Sequence, residues 1–113
     1  MMIYKIFHAE EWDALCAAGE TAGAPVDVAD GYIHFSTADQ VRETAAKHFA
    51  GVEGLVLARL DGDRLGDVLV WEPSRSGALF PHLYRALRRD EVLRHDPLPL
   101  GPDGLHVFPD PLP

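Results

Sequence analysis

Read for hydrophobic and polar positions alone, the chain divides into short alternating runs separated by glycine- and proline-bearing turns, with two stretches at helical spacing near its amino end. Ile3 to Phe7 is apolar apart from Lys5, which predicts a first strand covered on both faces. Ala9 to Ala18 consists of good helix formers, with Trp12, Leu15 and Cys16 at helical spacing and Gly19 where such a helix stops. On that stripe Cys16 reads as a small core residue. Ala22 to Asp30 holds Gly23, Pro25 and the Asp30-Gly31 pair, and predicts an irregular connection ending in a tight turn.

Gly31 to Thr37 is the run around which the rest is arranged. As a strand it puts His34 and Ser36 on one face and Ile33 and Phe35 on the other, so two polar groups share a pocket while the apolar pair anchors the core. It feeds a second helix, signalled by Thr37 and Gln40 as a capping box and running to about Phe49, with Val41, Ala45, His48 and Phe49 inward and Gly51 as a left-handed terminator. Leu55 to Leu60 is nearly continuously apolar and predicts a central strand. Asp61-Gly62-Asp63 turns the chain into a strand over Val68 to Glu72, and the loop from Pro73 to Gly77 follows. Phe80 to Arg85, if extended, sends His82 and Tyr84 to one face. Val92 to Leu98 predicts a further strand and Leu105 to Phe108 a last short one, with a Gly101-to-Gly104 turn between them and a proline-rich tail behind. Two helices followed by mostly antiparallel strands predict an α+β fold.

Composition keeps this picture to one domain. The chain has 113 residues, 47% hydrophobic and 25% charged, without repeats or low-complexity runs. The start lacks the basic and long apolar regions of a signal peptide, no membrane-length apolar run occurs, and a lone cysteine agrees with a reducing compartment, so a cytoplasmic protein is expected. A formal net charge of −8 argues against general binding to nucleic acid. Arg75, Arg85, Arg88, Arg89 and Arg94, however, fall in a stretch whose acids are Asp90 and Glu91, so a local patch could meet a phosphorylated ligand or simply be solvated.

Chemistry concentrates in three segments: His34 with Ser36, Glu72 at a strand end, and His82 with Tyr84. Two imidazoles, a carboxylate and two hydroxyls suffice for acid–base work or for gripping a sugar and phosphates. Each alone also reads structurally, His34 as a satisfied buried histidine and Tyr84 as a core aromatic; their recurrence in same-face pairs favours a shared pocket. The six histidines form no His-x-His pair or His-Glu-x-x-His helix, so no metal is expected. No Walker loop, Rossmann glycine fingerprint or Gly-x-Ser-x-Gly elbow is present.

Ile3-Tyr4-Lys5-Ile6, Trp12, Gly31 to Thr37 with Gln40, Trp71-Glu72, Phe80 to Tyr84 and the Pro-Leu-rich end together resemble the bacterial family catalogued as domain of unknown function number 952. The resemblance spans nearly the whole chain and implies a fold akin to the ADP-ribosyltransferase superfamily, with small sheets around a cleft. Many members carry histidine where this chain has Lys5. By that analogy Lys5 is the first-strand ligand group, His34 and Ser36 frame the ligand, and Glu72, His82 and Tyr84 handle a ribose. The implied function is binding of NAD or another ADP-ribose- or phosphate-bearing small molecule, with transferase or glycohydrolase chemistry. His34, Glu72 and His82 are then the catalytic candidates, and Lys5, Ser36, Tyr84 and Arg85 the ligand-binding ones, NAD serving as a substrate. The alternative is a non-catalytic ligand- or partner-binding module that keeps the cleft.

Overall fold

Alternation with both faces apolar makes the first and fourth strands the two-sided centre of the molecule. The computed structural model describes residues 1–74 and 77–112. Arg75 and Ser76, part of the expected basic stretch and loop, lie outside the described residues. The elements run β1 (Met2–Phe7), α1 (Ala9–Ala18), β2 (Glu20–Thr21), α2 (Pro25–Asp30), β3 (Ile33–His34), α3 (Val41–His48), β4 (Leu55–Asp61), β5 (Leu69–Pro73), β6 (Leu79–Leu83), β7 (Leu87–Arg88) and β8 (Arg94–Leu98), with 3-10 turns at Gly62–Val68 and Arg89–Glu91. The fold is α+β, and its strands pair antiparallel in small sheets ordered β1-β4-β8, β2-β7 and β3-β6-β5.

β4 is central, as its apolar run predicts, and β1 lies beside it with Ile3 opposite Leu60 and Lys5 opposite Ala58. Side chains alternate between two cores. Ile3, Phe7, Ala58 and Leu60 pack with Trp12 and Leu15 of α1 and with Ile33, Phe35 and Leu83 of the β3-β6-β5 side. Tyr4, Ile6, Leu55 and Leu57 pack with Val41 and Ala45 of α3, covered by Phe49 and Phe108. Ser36 joins the two sides: its backbone exchanges hydrogen bonds with Tyr4, 2.8 and 2.9 Å, so the chain after β3 is stitched to the free edge of β1.

Five expectations need correction. The stretch from Ala22 to Asp30 is not wholly irregular, because Pro25 to Asp30 forms α2. Pro25 sits in its first turn with φ already set, Asp27 Oδ2 accepts from the Ala24 N–H at 2.8 Å, and Gly31 closes the helix at φ 87°. The strand expected from Gly31 to Thr37 is only two residues long; the chain then bends so that Ser36 reaches β1. Thr37 contributes its carbonyl, not its hydroxyl, to the first amides of α3, while Gln40 Oε1 accepts from Thr37 N–H as the capping box requires. Leu105 to Phe108 forms no strand but a turn-like closure, with one bridge between Leu100 and His106 and the His106 ring bonded to the Val52 carbonyl at 2.8 Å. Cys16 is exposed: α1 buries only Trp12 and Leu15, and a stripe that narrow leaves the next position in solvent.

Candidate functional site

β3 and β6 are neighbours with His34 directly opposite His82, so the pleat places both imidazoles on one face of the sheet. Their ring centroids are 5.3 Å apart, edge to face. Val70 pairs with His82 and Glu72 with Phe80, which puts Glu72 on that same face one step along the edge strand. Each histidine is then fixed by a carboxylate.

For His34 that carboxylate is Asp27 in α2, which is fully enclosed. Its Oδ1 accepts from the His34 amide at 3.0 Å and lies 2.5 Å from His34 Nδ1; its Oδ2 accepts from Lys5 Nζ at 2.8 Å and from the Ala24 amide at 2.8 Å. Burial pushes the Asp27 carboxyl up, but the hydrogen bond from His34 and the charge of Lys5 prevail and hold it at about 2. The other ring nitrogen, Nε2, is 3.0 Å from Asp30 Oδ2. Carboxylates only accept, so satisfying both contacts at once needs a proton on each nitrogen of His34.

For His82 the partner is Glu72, whose Oε1 lies 2.9 Å from Nδ1 and accepts from Tyr84 Oη at 2.6 Å. The hydrogen bonds from Tyr84 and then His82 hold the Glu72 carboxyl below its usual range, and the same bond to Glu72 pushes the Tyr84 phenol up to about 12. His82 is 2% exposed, and its Nε2 is buried without a hydrogen-bond partner among the described residues. Tyr32 stacks on the His82 ring at 4.1 Å and also lies 4.7 Å from the His34 ring and 5.2 Å from Tyr84.

The two imidazoles open on a cleft of about 580 Å³. Lys5, Asp27, His34, Ser36 and His82 line it together with aromatic walls from Tyr4, Phe35, Phe49 and Phe80, while His8, Glu11 and His48 also contribute. A concave, largely apolar site with a few convergent polar groups is the usual form of a small-molecule pocket.

Comparison with known proteins is decisive on descent. The family model described as "Protein of unknown function (DUF952)" matches residues 6–95. The chain belongs to the DUF952 family. It is similar to the crystal structure of protein CC0527 from Caulobacter crescentus at 50% identity, covering 95% of this chain and 94% of that one with a TM-score of 0.92. The solution NMR structure of the same Caulobacter protein matches at 51% identity over 92% of this chain and 90% of that one, with a TM-score of 0.84. No curated protein matches.

In this DUF952 chain, four of the residues singled out from sequence, Lys5, His34, Ser36 and His82, line one cleft. Glu72 and Tyr84 do not line it; they stand behind His82 and hold its Nδ1 side. Ser36 Oγ is bonded to Thr44 Oγ1 at 2.9 Å. Arg85 is elsewhere, forked onto Glu91 at 2.9 and 2.6 Å. Among the described residues no group of three or more His, Cys, Asp or Glu is arranged to hold a metal ion. Sequence reading missed Asp27, Asp30 and Tyr32. The legible signal was Pro25 with an acid two residues on, which marks a first helical turn and so a stationary carboxylate.

Proposed function

We propose that the protein acts in the cytoplasm as a small-molecule-binding protein whose cleft performs acid–base chemistry, with His34 and His82 as the working groups. One observation carries this: two adjacent imidazoles, each fixed by a carboxylate on one nitrogen, differ in what the other nitrogen meets. Both His34 nitrogens face carboxylates, whereas His82 Nε2 has no partner among the described residues. Environments that separate two like groups in this way assign an acid and a base. Glu72 and Tyr84 position His82, Lys5 and Asp27 position His34, and Ser36 frames the ligand; Arg85, forked to Glu91, braces the chain beside β7. The single exposed thiol, Cys16, suits a reducing compartment.

NAD or another ADP-ribose-bearing molecule, as the family resemblance implies, is a specific form of this reading. A ribose hydroxyl fits a bare imidazole nitrogen, and an ADP-ribosyltransferase-like arrangement would put His82 beside it with Glu72 behind the ring. Its phosphates would stay toward the mouth, because Lys5 is already engaged by Asp27. The test follows backbone amide resonances of residues 32–36 and 80–84 while NAD and ADP-ribose are added, and assays released nicotinamide. Shifts confined to those residues are expected, and where turnover occurs His82→Ala should lower it by about 10²- to 10⁴-fold, the usual worth of a general acid or base. Shifts without turnover would assign the cleft to a non-catalytic binding module. A cleft silent to both ligands and to a broad fragment set would overturn the reading.

A further inference from the structure

The two histidines of the cleft offer a ligand opposite things. His34 offers little, since Nδ1 is 2.5 Å from Asp27 Oδ1 and Nε2 is 3.0 Å from Asp30 Oδ2. His82 offers one atom. Glu72 holds two hydrogen bonds on Oε1, from Tyr84 Oη and from His82 Nδ1, and a carboxylate can accept but not donate. The proton of a neutral His82 ring therefore sits on Nδ1, and Nε2 presents a lone pair. That atom is buried and has no partner among the described residues, which in a native fold calls for an explanation. Tyr32 stacked at 4.1 Å and His34 edge-on at 5.3 Å supply ring contacts but no hydrogen bond to it.

The charges around it point the same way. Among the described residues lining the cleft the carboxylates are Glu11, Asp27 and Asp30, while the sole lysine or arginine is Lys5, whose Nζ is 2.8 Å from Asp27 Oδ2. With His34 protonated on both nitrogens between Asp27 and Asp30, three carboxylates face two cations, and an anionic group reaching the buried end would meet a lone pair and a small excess of negative charge. A donor would complete the hydrogen bonding of His82.

We infer that the buried end of the cleft takes an uncharged or cationic group that donates an O–H or N–H to Nε2 of His82, and discriminates against carboxylates and phosphates. This rests on the small-molecule reading above and names the chemistry of the group that enters first. Three probes of one size separate the possibilities: benzyl alcohol, benzylammonium and benzoate, each with an aromatic body to lie against Phe35 and Phe80. Histidine ring ¹H–¹⁵N spectra of the free protein near neutral pH should show the His82 proton on Nδ1. Benzyl alcohol and benzylammonium should shift the Nε2 resonance, and benzoate should bind at least about tenfold more weakly, the cost of facing an unsatisfied acceptor. In Glu72→Ala the fixed tautomer should be lost, and with it that preference. A proton on Nε2 in the free protein, or benzoate binding best, would overturn the inference and leave the cleft a ligand site. If the proton is on Nδ1 and none of the three probes disturbs the cleft, the inference falls, and the reading beneath it is decided separately by NAD, ADP-ribose and the fragment set.

Discussion

Asp27 is the residue on which the site turns, and its effect is electrostatic. A carboxylate so enclosed is tolerable only because two cation-capable side chains and two backbone amides converge on it. Its carboxyl lies at about 2 in the fold against 3.8 as an isolated group, so it contributes stability that is complete above that unfolded value and disappears as pH falls through the folded one. The shift corresponds to about 2 kcal/mol. Urea denaturation between pH 6 and 2 should show this component, and Asp27→Asn should lack it. The same substitution leaves Lys5, itself 8% exposed, without its countercharge, and should cost about 3–5 kcal/mol at neutral pH. A variant as stable as wild type at pH 6 would show that the Lys5–Asp27 pair is dispensable. From sequence, His34, Ser36 and His82 were readable as same-face strand residues because period two needs only neighbours in the chain. For Asp27, Pro25 signalled a place in a first helical turn, but its role was not readable, because its partners lie 22 residues before it and 7 after it.

At the scale of elements, α2 decides whether a site exists at all. It is six residues long, too short to be stable by itself, and is held by Asp27 at one end and by the left-handed Gly31 at the other. The loop before it is equally constrained. Gly23 has φ 104°, and a Cβ there would lie 2.5 Å from Asp27 Cβ and Oδ2. Gly23→Ala should therefore cost about 1–2 kcal/mol for the backbone alone, with more from displacement of the Asp27 side chain. Thermal unfolding measures the cost, and loss of the His34 ring environment in NMR spectra would locate it; an unchanged His34 signal would show that α2 does not depend on this close approach. Pro25 and Asp27 carried the sequence signal for α2, but a run crowded with Gly23, Pro25 and Asp30-Gly31 reads as breakers before it reads as one short helix. The long apolar run of β4 suffered no such competition. Its central place between β1 and β8 followed from having two faces to bury.

For the molecule as a whole, the site sits where the β3-β6-β5 sheet backs onto the first core, so stability and function share residues. Leu83, with no exposure, anchors β6 in that core one position from His82. Leu83→Ala should cost about 2–5 kcal/mol and weaken any ligand response of the cleft along with it. Val107→Ala, at a position 55% exposed, should stay within about 0.5 kcal/mol of wild type by chemical denaturation. Equal losses at the two sites would contradict this placement of the core. No helix among the described residues is long and apolar enough to cross a membrane. The formal charge of −8 is spread over carboxylates, some of which are spent within the fold: Asp27 on Lys5 and His34, Glu91 on Arg85, Glu72 on His82 and Tyr84. By itself the sequence determined the α+β class, β1, α1, the central β4 and the placing of His34 and His82 on strands. Those follow from periodicity and local turn chemistry, which act over a few residues. Only the tertiary structure decided that Lys5 is occupied by the buried Asp27 and Arg85 by the half-buried Glu91, that Glu72 and Tyr84 support His82 from behind, and that His82 Nε2 has no partner among the described residues. Such facts depend on which distant carboxylate reaches which cation or ring, and that is fixed by strand register and the docking of α2.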